Sequence, residues 1–199
     1  MGVGLSDGES AAPPLSEAAG GATTSAASAA SDRRDAVPGV IAGARLLLVA
    51  LWLGGAVFFS FVVAPTAFAV LQQRELAGAV VTRTIAVVNV GGFIISLVVL
   101  ALGFLENDAG RRRRARLVET VSLALVAISC GAGHWIVSAR MLALRAAMGR
   151  PVDAVAADDP VRAAFNSLHG YSVGLMTVAM LAGVVALFAV AGRKNKSGV

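Results

Sequence analysis

Apolar residues along this chain gather into four runs, at 41–63, 85–105, 117–138 and 171–191, with most polar residues in the stretches between them. The runs show neither the alternation of a half-buried strand nor the single stripe of a soluble amphipathic helix. A bilayer core of about 30 Å is crossed by roughly 20 apolar residues in helical form, and each run has that length. The pattern predicts an all-α protein, an integral membrane four-helix bundle over residues 39–192. Residues 1–38 are low-complexity Ala, Ser, Gly and Pro, with too little to bury to offset the entropy of ordering. They are expected to form a disordered cytoplasmic tail. No basic n-region precedes an apolar segment there, so a signal peptide is not expected. A short basic tail, 193–199, closes the chain.

Local signals refine the elements. Pro65 is expected to end or kink the first helix, because proline removes a backbone bond and clashes with the preceding turn. The polar stretch QQRELAGAVVTRT is expected to lie along the interface as an amphipathic helix. The third helix is expected to continue beyond the bilayer through MLALRAAMG, before a longer connection, RPVDAVAADDPVRAAFNSLHG.

The chain is 57% hydrophobic and carries a net charge of +5. That charge sits in loops and tails, where it sets topology and does not suggest a nucleic-acid partner. Ten Lys and Arg fall on the side of the tails and the ENDAGRRRRAR loop, against six on the other side. The excess places both termini in the cytoplasm. Arg outnumbering Lys, with abundant Ala, fits a GC-rich bacterial genome and hence a bacterial inner membrane. Cys130 is the single cysteine, so no intramolecular disulfide forms.

With that topology Asn89, His134, His169 and Tyr171 fall in one outer layer. Cys130 and His134 are i,i+4 on one helix face, and His169, Ser172, Met176 and Met180 form a stripe on the last helix. Cys, Met and His together suit copper(I), and paired histidines suit haem iron. His134 and His169, with Cys130 or Met176, are therefore the candidate metal or haem ligands. Methionine in a bundle is more often core filler, and packing with interface anchoring carries the greater weight. Gly170 with Gly174, and Ala127 with Gly131, are spaced to let helices approach closely; Gly54-Gly55 and Gly91-Gly92 add smooth faces. The glycines at 170 and 174 are expected to seat the last helix against a neighbour. No carboxylate is expected deep in a span. Glu119 is placed at the cytoplasmic start of the third helix with Arg116 in reach, and Arg45 is expected to snorkel to the interface. Without buried ionisable groups an ion-coupled transporter is disfavoured. No nucleotide-binding, hydrolase or zincin motif is present, so no catalytic residues are assigned and no cofactor is required.

Two signatures carry a family likeness. WLGGAVFFSFVVAPTAFAVLQQRELAGAVV, with Trp52, Gly54, Pro65, Phe68 and Gly78, resembles the first-helix signature of the transmembrane protein 205-like family. FNSLHGYS, with Phe165, His169, Gly170 and Ser172, resembles its second. The resemblance implies a four-helix integral membrane protein and supplies no reaction. LWLGGAVFF also resembles the first helix of copper-resistance membrane proteins, although those carry a histidine upstream of the tryptophan and this chain has none before His134. The chain thus admits three readings: a bundle that packs with itself or a partner in the bilayer, or accommodates a small molecule; a metal- or haem-handling protein; and a passive carrier or channel.

Overall fold

The computed structural model describes residues 39–105 and 113–192. The expected disordered tail at 1–38, most of the arginine loop at 106–112 and the basic tail at 193–199 lie outside the described residues. The chain divides into two units, Met1–Val40 and Ile41–Val199, and the second holds the helical domain.

Four helices are long and apolar enough to cross a membrane: α1 (Gly39–Val70), α2 (Arg74–Leu105), α3 (Arg113–Met148) and α4 (Pro160–Ala191). No strand occurs among the described residues. Large apolar side chains such as Leu51, Phe61, Phe104, Leu181 and Phe188 point outward. In water that would be costly; facing lipid it is the expected arrangement.

Inside, Trp52, Leu53, Val126, Cys130, Met176 and Ala179 form one apolar cluster, and Val49, Val99, Leu123 and Ala186 form a second. The inward face of α4 reads Met176, Ala179, Gly183, Ala186 and Val190. These residues are mostly small, as close helix approach in lipid requires. That face decides the fate of the expected glycine step. Gly174 lies about 200° round the helix from Met176, so Gly170 and Gly174 are exposed with nothing within 4 Å. The residue that seats α4 is Gly183, where an added Cβ would stand 2.9 Å from the Trp52 ring. Gly54 and Gly55 likewise meet no neighbour within 4 Å.

The helices outrun the apolar runs mainly at one end, by segments 64–70, 74–84, 139–148 and 160–170. At 1.5 Å per residue these add about 10–16 Å, a helical headpiece at the end of the bundle away from Gly39 and Ala191. Pro65 does not end α1. The turn before it widens into a π-helix, Phe59–Val63, in which Ala64 N–H donates to Phe59 O. This accommodates the missing proline donor, and the helix resumes as Ala64–Val70. The stretch expected to lie along the interface instead forms the first turns of α2, with Glu75 favourably placed at the N-terminus. The third helix does continue through MLALRAAMG. It ends at Gly149, whose φ of 60° is a left-handed cap that suits glycine. α4 begins eleven residues before its apolar run. The Asp159 carboxylate accepts from Val161 N–H at 2.7 Å and from Arg162 N–H at 3.4 Å, and Pro160 occupies the first turn.

Candidate functional site

The headpiece holds a half-open cavity of about 600 Å³, within the range of small-molecule sites. Each helix contributes to its wall: Phe68 from α1, Gly78 from α2, Arg145 from α3, Phe165 and His169 from α4. Beside it a narrow slot of about 100 Å³ shares Phe68, Gly78, Arg145 and His169 and runs between Val81, Ile85, Leu142 and Val173. Two residues from each of the stretches WLGGAVFFSFVVAPTAFAVLQQRELAGAVV and FNSLHGYS therefore converge on one space.

Arg145 ties the walls together. Its guanidinium carbon lies 5.2 Å from the centre of the Phe165 ring, a cation–π contact. On the other side a Cβ added to Gly78 would meet Arg145 Nη2 at 3.3 Å. Sequence reasoning counted this arginine only as a loop charge. Its i−4 and i+4 neighbours, Met141 and Gly149, hold no hint of a role, because its partners come from α2 and α4.

Two π-helical segments set the phase of these walls. Phe59–Val63 in α1 and Ala132–Ser138 in α3 each insert extra residues into a turn, which rotates the rest of the helix by about 100° per residue. Phe68 and the Ser138–Arg145 face are thereby turned towards the cavity. In α3 the wide turn is supported by Ser138 Oγ–H donating to Gly133 O at 2.9 Å. Trp135 on the same segment and Tyr171 on α4 are exposed beside Ser138 and Ser172 of the slot. Such aromatic residues favour the membrane–water boundary.

The proposed ligand residues separate by environment. His169 lines the cavity and is exposed. His134 is half-buried, its ring edge-on to Trp135 with centroids 5.0 Å apart, and its enclosed Nδ1 has no hydrogen-bond partner among the described residues. Cys130 and Met176 share the apolar core with Trp52. Among the described residues no three His, Cys, Asp or Glu side chains form a metal-ligating group. Asn89 is buried with its amide against Gly133.

Below the cavity, Trp52 fills the middle of the bundle. Its indole N–H donates to Val88 O at 3.0 Å, and it lies between Gly92 of α2 and Gly183 of α4. At the opposite end the structure corrects the placement of Arg45 and Glu119. Arg45 does not snorkel: it is wholly buried and forms an ion pair with Glu119, itself 4% exposed. Glu119 is six residues into α3 and faces the bundle, so the pair is an enclosed one. Gly103 of α2 makes room, since a Cβ there would lie 2.7 Å from Arg45 Nη2.

Residues 47–150 match the model of a family described as Domain of unknown function (DUF4149). The chain belongs to the DUF4149 family. The match spans just over half of its 199 residues. Within this DUF4149 segment lie Trp52, Pro65, Phe68, Gly78 and Arg145, whereas Phe165 and His169 lie beyond it. No curated protein and no solved structure matches the chain.

Proposed function

We propose that this DUF4149 protein is a transmembrane protein 205-like bundle of a bacterial inner membrane, both termini cytoplasmic, whose outer headpiece accommodates a small amphipathic molecule. The observation that carries the reading is a roomy cavity with charged side chains such as Arg145 in its wall, opening beside a narrow apolar slot close in the chain to Trp135 and Tyr171. A ligand with one wet and one apolar end fits that junction, entering sideways from the lipid. This is binding without an assigned reaction. A passive pore has the packed middle against it, where Trp52 closes the space between α2 and α4.

The reading is tested with a neutral diazirine-bearing monoacylglycerol in nanodiscs holding the full chain. Photolabelling should concentrate on residues 81–85, 141–145 and 169–173. Labelling spread evenly over lipid-facing positions such as Leu51 and Phe188 would refute it.

A second reading, copper or haem held by His134 and His169, draws on one observation, the unpartnered enclosed Nδ1 of His134. Under the leading reading, elemental analysis of purified protein should find no stoichiometric iron, copper or zinc. Near-stoichiometric metal that disappears in a His134→Ala/His169→Ala variant would put the second reading first.

A further inference from the structure

The charges around the cavity narrow what it holds. Arg74, Arg145 and Arg150 line it against Glu75 and Asp153. Arg74 and Asp153 stand 3.7 Å apart at the exposed rim, which leaves two arginines against Glu75. Arg145 differs from the others in being half-buried. Among the described residues no carboxylate ion-pairs with it, and it borders both the cavity and the slot. Phe165 and Gly78 hold its guanidinium in place. A partly desolvated cation gains most from an anion brought to it, and a guanidinium presents paired donors that match a carboxylate or phosphate. His169 and Asn166 add polar groups on the α4 wall.

The slot beside Arg145 is lined by Val81, Ile85, Met141, Leu142 and Val173. A free anion has no use for such a lining. Its volume of about 100 Å³ has width for one chain. We infer that the site binds a single-chain amphiphile with a carboxylate or phosphate head, Arg145 receiving the anion and the slot the start of the chain. This rests on the cavity reading above and names its ligand class.

The test compares a diazirine fatty acid with the neutral diazirine monoacylglycerol, at equal mole fraction in phosphatidylcholine nanodiscs containing the full chain. The fatty acid should label the slot at about tenfold lower mole fraction, the gain of a charge-assisted contact. Arg145→Gln should remove that preference, so that the two probes label the slot alike, and Arg145→Lys should restore part of it. Oleoyl lysophosphatidic acid should compete well, and lysophosphatidylcholine and inorganic phosphate poorly. Equal labelling by the two probes, or a preference intact in Arg145→Gln, would overturn the inference while the cavity reading stands. Inorganic phosphate competing as well as lysophosphatidic acid would overturn it in favour of a free-anion site. Labelling of the slot by neither probe would sink both. If Arg145→Gln does not assemble, the comparison of probes on the unaltered chain decides.

Discussion

Replacing either Arg45 or Glu119 by alanine is expected to destabilise the bundle by about 3–5 kcal/mol, the range for breaking a buried ion pair from one side. The partner left behind is buried and has lost the ion pair between α1 and α3. Gly103→Leu should act in the same direction by a different route, since its side chain would occupy the place of the Arg45 guanidinium. The two-sided change Arg45→Met/Glu119→Leu should recover most of the loss, because it removes both charges and keeps volume. A denaturation series in detergent with all four variants checks this. If the double variant were as unstable as the single ones, the pair would be supplying more than mutual neutralisation. If the single variants were unchanged, Arg45 would be reaching water after all.

The position of this pair suggests what it does for the fold. Helices in lipid have no hydrophobic force to pull them together, and small residues on smooth faces allow more than one register. A charge on α1 that must meet a charge on α3, through a gap left by Gly103 on α2, selects one. Arg116, Leu100 and Thr120 line the small void beside it.

The membrane architecture was legible in the sequence, because spanning a bilayer demands an uninterrupted apolar length and little else produces one. The headpiece was legible only where the third helix was expected to continue through MLALRAAMG. Segments 74–84 and 160–170 are polar enough to look like interface or loop, and they become helix through tertiary packing: Ala77 and Phe165 are buried there. Pro65 was read as ending or kinking α1, and the helix continues past it through a π-turn that depends on neighbours a local rule does not include. The convergence of Phe68, Gly78, Phe165 and His169 was open to sequence only as two separate signatures. Arg145 left no local trace, being one arginine among six on that side. Arg45 and Glu119 were each visible and each assigned to the interface, because 74 residues separate them and no periodicity relates one helix to another.

Filling the space beside Trp52 is expected to be comparably damaging. Even a Cβ on Gly92 would stand 2.5 Å from Trp52 Nε1 and 2.7 Å from Cys130 Sγ, so Gly92→Val requires the indole to move. Overpacking alone costs about 1–3 kcal/mol. Unseating a buried tryptophan adds losses of the kind seen on truncating one, about 3–5 kcal/mol, together with its hydrogen bond to Val88 O. Gly183→Val should act on the Cζ3 edge of the same ring. The chain has two tryptophans, and Trp135→Phe leaves Trp52 as the sole indole reporter. In that background Gly92→Val should shift the emission and lower the melting temperature together. Trp52→Leu should relieve both glycine variants, so that the double-mutant cycle shows a favourable coupling of at least about 1 kcal/mol. Independent, additive effects would mean that Trp52 does not occupy the gap between Gly92 and Gly183, and a solute path through the middle of the bundle would then be open to test by liposome flux.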